Sequence, residues 1–452
     1  MRLYNTLTRS VDEIKPLRAP EVTVYTCGPT VYDYLHVGNW FTYIREDILI
    51  RTLKASGLQP KWVMNITDVG HLVSDADEGE DKLEKGAKRE GKTAWDVAKF
   101  YTEYFERGLK RLNILQPDFL PRATDHIAEQ IALIQKLEEK DFTYKISDGI
   151  YYDTAKFPRY ADFARLDIDE QEAGKRVEFN AEKRNTSDFA LWKFSPADHQ
   201  RDMEWDSPWG KGFPGWHIEC SAMSMKYLGE TLDIHAGGID HIPVHHTNEI
   251  AQSEAATGKS FAQVWMHSNH ITIEGEKISK SLGNGITLED IEGRGISLDA
   301  FRLHVLESHY RSQSKFSWDS LEAAQNRLKN WQAVADLRWQ LPADDIFTIP
   351  VLEQLENDLN TPIALSDIDA GFTLITAKNK APSVAALEEI RDLLGINLLQ
   401  SDVSDEQKQL IAEREQARSD ADWAKSDTLR DQLAEQGIGL RDTPDGAIWY
   451  RL

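Results

Sequence analysis

The order of apolar and polar residues divides the chain into an α/β part and a later helical part. Residues 22–28, Val-Thr-Val-Tyr-Thr-Cys-Gly, are β-branched and aromatic with no polar face, and Gly28-Pro29 stops them. They predict a buried strand. A loop with Tyr32, Tyr34 and His36 follows, then a helix over about 39–53 and a second β-rich run over 61–67. Strand, loop, helix and strand in about 45 residues make a βαβ unit, which implies a parallel sheet. Helices are predicted over 92–112 and 125–140. From 122 to 205 the pattern is irregular: short β-like pieces such as Gly149–Tyr152 alternate with charged loops, as in an insertion into the first domain. The rhythm of helix and strand returns at 216–228, 232–235 and 244–256. Residues 264–273 read as one strand, and 275–285 as a polar loop bounded by glycines.

After about residue 310, segments 317–339, 351–377 and 382–394 have the spacing of amphipathic helices. Residues 395–405 read as a linker. Helices over 405–418 and 421–436 follow, then short strands over 438–441 and 447–451 around Thr-Pro-Asp-Gly, a turn sequence. There is no internal repeat and no low-complexity tract.

Composition narrows the class. The 452 residues are 41% hydrophobic and 10% aromatic, enough for a sizeable core, and at roughly 100–200 residues per domain they suggest two to four domains. No apolar run approaches the ~18 residues that span a bilayer, and the first ten residues lack the apolar stretch of a signal peptide. A cytoplasmic protein without a membrane role is the expectation. A net charge of −23 argues against indiscriminate adhesion to nucleic acid or anionic lipid, while leaving room for a local basic patch. Two cysteines, Cys27 and Cys220, exclude a disulfide framework. The acidic run 75–79 has a faint look of a calcium loop, but Gly86 stands where the bidentate Glu is required.

Three constellations could carry chemistry. His36-Val-Gly38-Asn39 opens a helix after the first strand, where α/β folds bind phosphates. Gly38 lets backbone approach a nucleotide, and His36 and Asn39 can donate hydrogen bonds. A histidine before a helix is, by itself, commonplace. Lys277-Ile-Ser279-Lys280-Ser281 places two lysines on a Gly-bounded loop able to close over a polyphosphate, although most such pentapeptides are solvated surface. No Walker sequence and no Gly-x-Gly-x-x-Gly follows a strand, so a nucleotide is held in another way. Finally, His245 and Glu249 are i,i+4 on one predicted helix, Pro243 suits its first turn, and Cys27 and Cys220 end a strand and sit in a helix. Two thiolates, an imidazole and a carboxylate suit zinc. Free cysteines are also often buried small hydrophobes, and spacing alone leaves both readings open. Seven of the thirteen histidines fall between 217 and 270, which marks that stretch as polar and functional.

Together these pieces strongly resemble the cysteinyl-tRNA synthetase family. The resemblance runs through Thr26-Cys27-Gly28-Pro29-Thr30-Val31-Tyr32-Asp33 into His36-Val-Gly-Asn39. It continues with Trp216-His-Ile-Glu-Cys220, His245-His-Thr-Asn-Glu249, Lys277-Ile-Ser-Lys-Ser281 and the tail 420–452, covering nearly the whole chain. It implies a class I aminoacyl-tRNA synthetase, α/β, with a Rossmann-like parallel-sheet catalytic domain interrupted by an insertion. An α-helical domain and a small mixed α/β domain follow. The expected boundaries are 1–121 and 206–262 for the two catalytic halves and 122–205 for the inserted connective domain. A connecting region with the lysine loop takes 263–310, a helical tRNA-binding domain 311–398 and an anticodon-binding domain 399–452.

The resemblance also implies one Zn²⁺ per chain on Cys27, Cys220, His245 and Glu249. Thr67, Trp216 and His235, beside Cys27, would line the amino-acid pocket. ATP with Mg²⁺ would meet His36, Gly38, Asn39 and Lys280, with Lys277 and Lys280 gripping pyrophosphate. Partners would be tRNA(Cys), L-cysteine and ATP, and the chain a monomer. Arg441, Trp449, Tyr450 and Arg451 could contact the anticodon; for Trp449, packing in the terminal core is an equal reading. Trp40-Phe41 stands where the family often has Ala-Arg, and Thr247 where it often has Glu. A related cysteine ligase of mycothiol synthesis lacks the full terminal domain, which here is present. A non-catalytic paralogue would have lost His36 or Lys280; both remain.

Overall fold

In the computed structural model, the structure describes residues 1–70, 82–165, 180–196, 200–273, 276–277, 285–344, 348–444 and 446–452. It divides into two compact units. One comprises Met1–Leu288 with Tyr310–Ser314, the other Glu289–His309 with Lys315–Leu452.

The first unit is built on a four-stranded parallel sheet. Glu21–Thr26 lies between Gln59–Met64 on one side and Leu232–Gly238 on the other, and Ala262–Ser268 is the outermost strand beyond Leu232–Gly238. Tyr25 is thus opposite both Val63 and His235. The strands are buried along most of their length, as expected of a parallel sheet covered on both faces. The chain moves from the first strand to one neighbour and later returns to the other. The carboxyl ends of Glu21–Thr26 and Leu232–Gly238 therefore flank the topological switch point, where open α/β sheets bind ligands.

The helix after the first strand, Val37–Ala55, starts two residues before its predicted start and is buried on nearly all sides. Two of its charges pair with each other: Arg51 Nε donates to Asp47 Oδ2 at 2.7 Å, and Asp47 Oδ1 also accepts from Leu115 N at 2.8 Å. Trp40 is fully buried, its indole stacked on Phe105 at 5.8 Å. It fits because residue 108 is glycine; a Cβ there would lie 2.3 Å from Trp40 Cη2.

The irregular insertion holds an antiparallel sheet, Thr143–Ile146, Gly149–Tyr152, Phe189–Phe194 and Gly212–Pro214. The reading of 264–273 as one strand needs correction. It breaks at Asn269-His270 into Ala262–Ser268 and Ile271–Ile273, because the Asn269 side chain turns the chain by accepting from its neighbour's N–H.

In the second unit, the predicted helix 351–377 is two helices, Val351–Glu356 and Thr361–Ala377. Asp358 and Leu359 adopt positive φ, and Asn360 caps the second helix through Ile363 N, with Pro362 in its first turn. That Asn-Thr-Pro signature is a start signal that apolar periodicity ran across. The tail forms Asp405–Ser419, Trp423–Glu435 and a hairpin of Ile438–Thr443 with Gly446–Arg451. Trp449 is buried with Val403, Leu433 and Ile438. Of its two readings, core packing holds. Arg451 is likewise engaged, its Nε 2.9 Å from the buried Asp336 Oδ2, whereas Arg441 is exposed.

Candidate active site

A cavity of about 540 Å³ opens at the switch point. Its lining brings together Cys27, Gly28, His36, Gly38, Asn39, Thr67, Trp216, Cys220 and His245. Two groups of predicted residues thus share one space.

The first group sits at the start of Val37–Ala55. His36 is the N-cap, in extended conformation, and its N–H donates to Asn39 Oδ1 at 3.1 Å. That bond fixes the Asn39 amide with its Nδ2 available to a ligand. Val37 N donates to Ile286 O at 2.8 Å and Asn39 N to His36 O at 2.9 Å, so what the helix N-terminus offers an anion is chiefly its positive dipole.

The second group is a buried cluster of metal-binding side chains. Donor atoms of Cys27, Cys220, His245 and Glu249 all lie within 4.8 Å of one another. Four donors around a tetrahedral zinc stand roughly 3.3–3.8 Å apart, so the set needs little contraction. His245 Nε2 is 3.1 Å from Glu249 Oε1. His245 reaches the cluster from a π-helical turn, Ile242–His246, that leads into the α-helix Thr247–Thr257. The predicted helix 244–256 is therefore wider-wound at its first turn, as often happens at functional sites. Thr247, where the family often has Glu, secures that turn by donating from Oγ1 to Ile242 O at 2.7 Å. A second set, Cys27, His235, His246 and Glu249, meets the same distance.

Charge couples the cluster. A hydrogen bond with Cys27 pulls the Cys220 thiol down to about 7, while burial pushes Cys27 well above its usual range. Against burial, which lowers it, the charges of Cys220 and Glu249 push His245 up to about 10. Against burial, which raises it, His235 and His245 hold Glu249 at about 2. Without a metal, a proton on His245 balances the anions around it. A divalent cation is the natural replacement for that proton.

Thr67 Oγ1 donates to Glu219 Oε2 at 3.0 Å and accepts from Asn65 Nδ2 at 3.0 Å, and Asn65 Oδ1 accepts from Gly28 N at 2.9 Å. The Trp216 ring lies 4.3 Å from that of His245. His235 stands behind the cavity: it is stacked on Trp265 at 4.5 Å, its Nε2 3.0 Å from Glu249 Oε2. The side chain of Lys277 and the whole of Lys280 lie outside the described residues, as does the acidic run 75–79.

Sequence reasoning missed the residues that hold these groups. His217 Nδ1 is 3.0 Å from His245 Nδ1; His246 Nε2 is 3.4 Å from Cys27 Sγ, and its Nδ1 is 2.8 Å from His267 Nε2. Such contacts orient ligands. The density of histidines over 217–270 was their only signal.

Comparison with known proteins identifies the family. The family described as tRNA synthetases class I (C) catalytic domain matches residues 13–326, and the cysteinyl-tRNA ligase anticodon binding domain matches 400–451. The chain is 47% identical to the cysteine–tRNA ligase 1 of Burkholderia lata, covering 99% of this chain and 96% of that one. It is 40% identical to the cysteine–tRNA ligase of Treponema denticola over the full length of both. The methionyl-tRNA synthetase of Mycobacterium tuberculosis, solved with methionyl-adenylate, shares the fold at 15% identity. Its TM-score is 0.58, with 83% of this chain and 88% of that one covered. The chain belongs to the cysteinyl-tRNA synthetase family and is a class I aminoacyl-tRNA synthetase, a cysteine–tRNA ligase.

Proposed function

We propose that the chain joins L-cysteine to tRNA(Cys) in two steps within the switch-point cavity, with zinc distinguishing cysteine from serine. The observation that carries this reading is that Cys27, Cys220 and His245, whose donor atoms cluster with that of the buried Glu249, line the same cavity as His36, Gly38 and Asn39.

In the first step a carboxylate oxygen of cysteine attacks the α-phosphorus of ATP, supplied as its Mg²⁺ complex. The bond to the β-phosphate oxygen breaks and pyrophosphate leaves. No protein nucleophile is needed; positioning and charge stabilisation suffice. His36 and Asn39 orient the phosphates at the helix N-terminus, Gly38 admits them, and Lys277 and Lys280 draw off pyrophosphate. In the second step the terminal ribose hydroxyl attacks the carbonyl carbon, loses its proton and releases AMP.

Cys27, Cys220, His245 and Glu249 hold one zinc ion per chain, a soft Lewis acid that favours a thiolate over a hydroxyl that hardly ionises near neutral pH. We favour this set over the one with His235 and His246, because two thiolates best match zinc and Cys220 lines the cavity. Thr67 and Trp216 shape the amino-acid end, with His235 supporting Glu249 from behind. A specific bond that serine cannot make is worth a factor of roughly 10⁴–10⁵. An editing domain is then unnecessary. On this reading the chain works as a monomer in the cytoplasm. Among the described residues, no helix is long and apolar enough to cross a membrane. The test is exchange of labelled pyrophosphate into ATP. Exchange that depends on cysteine and is absent with serine is expected; equal exchange with both would refute the selectivity.

A further inference from the structure

Phe41 stands where the family often carries arginine, and the structure shows a guanidinium one helical turn further along the same face. Arg45 is buried, only 4% exposed, with its Cζ 5.4 Å from the centre of the Phe41 ring. Its fork reaches two other segments. Nη1 donates to Asn269 O at 3.1 Å, and Nη2 donates to Ser314 Oγ at 2.6 Å. Those segments also grip each other: Asn269 N donates to Tyr310 O, Asn269 Nδ2 to Arg311 O and Ser314 N to His270 O, at 2.8, 2.8 and 2.9 Å. Burial lowers the Arg45 pKa to about 10, so the group stays charged near neutral pH.

What this clamp holds is one wall of the cavity. Asn269, His270, Thr272 and Gln313 line it on one side, Gly38 and Asn39 on another. The same wall continues through Ile271–Ile273, which pairs with Glu276–Lys277 at the entry to the second signature loop. Arg45 belongs to the helix whose first turn carries the first signature.

We propose that Arg45 is a positioning residue for adenylate formation, fixing the spacing between the first-signature helix and the wall that leads into the Lys-Ile-Ser-Lys-Ser loop. The role rests on the adenylating reading of the cavity. A planar fork suits it because two acceptors on different segments are held at once; lysine can serve them only as a point charge. Phe41 is the apolar shelf beneath the fork, which accounts for an aromatic ring at that position.

The experiment is pyrophosphate exchange by the full chain and by Arg45→Met and Arg45→Lys, with zinc content and thermal melting measured alongside. A displaced wall is expected to lower kcat/KM for ATP by roughly 10- to 100-fold in Arg45→Met, while KM for cysteine and zinc content stay as in the parent. Arg45→Lys should recover part of the loss. Should Arg45→Met fail to fold, the ATP kinetics of Arg45→Lys decide: an ATP-selective loss supports the role, and parent-like values overturn it. Losses shared equally between ATP and cysteine, tracking a lower melting temperature, would also overturn it. Absence of exchange in the parent chain would instead refute the adenylating reading.

Discussion

Gly28 offers a severe test of how the cavity is built, because one added methyl group has nowhere to go. A Cβ on Gly28 would stand 1.7 Å from the carbonyl oxygen of Asn65 and 2.9 Å from its carbonyl carbon. Side-chain β-carbons do not come within 3.0 Å of such atoms, so Gly28→Ala forces the two segments apart by about 1.3 Å. The Gly28 N–H bond to Asn65 Oδ1 is strained first, and Asn65 passes the shift to Thr67 and Glu219. Cys27, one residue earlier, moves with the strand end. Overpacking of this kind costs about 1–3 kcal/mol, less than the ~5–15 kcal/mol that keeps a domain folded, so the variant should still fold. Displacement by about 1 Å at reacting groups costs on the order of 10²-fold in rate. Pyrophosphate exchange at varied cysteine should therefore show kcat/KM falling about 100-fold, with a modest loss in melting temperature. Gly293→Ala is the control, since a Cβ there meets nothing within 4 Å. Parent-like kinetics in Gly28→Ala would mean that the close approach of Gly28 to Asn65 does not set the geometry of the cavity.

Other expectations follow from the metal cluster and the tail. Cys220→Ser should lower zinc content and raise KM for cysteine while sparing KM for ATP, as metal analysis and exchange kinetics can check; full occupancy with unchanged kinetics would contradict it. At about pH 8, His245 and Cys27 still hold protons while Cys220 has mostly lost its own. Calorimetry in buffers of different ionisation enthalpy should thus count about two protons released per zinc bound, and affinity should rise with pH; no release would contradict the assignment. Arg441→Ala, at an exposed position of the terminal hairpin, should raise KM for tRNA and leave pyrophosphate exchange unchanged. Unchanged tRNA charging would remove Arg441 from the tRNA interface.

Much of the architecture was legible because its signals are local. Apolar runs ended by Gly-Pro or flanked by turn residues marked the strands Glu21–Thr26 and Gly446–Arg451. The four metal donors were legible only as an ordered set of weak motifs, since 222 residues span Cys27 to Glu249 and spacing cannot show that a fold joins them. What stayed hidden depends on tertiary geometry. The π turn that aims His245 is set by how Ile242–His246 packs, with the Thr247 hydroxyl on Ile242 O, and no composition signal distinguishes it from an α-turn. The break at 357–360 was written in Asn360-Thr361-Pro362 but masked by continuing apolar periodicity. His217, His246 and Glu219 orient other side chains across 21 to 219 residues of sequence, a relation without any local trace.

Selective charging of tRNA with cysteine can be measured by aminoacylation itself. Purified protein with ATP, Mg²⁺ and tRNA would be given labelled cysteine or labelled serine, and label on tRNA measured before and after zinc is removed and restored. Label is expected from cysteine alone, lost with zinc and regained on its return. Comparable charging with serine, or undiminished charging by protein shown to hold no zinc, would contradict that expectation.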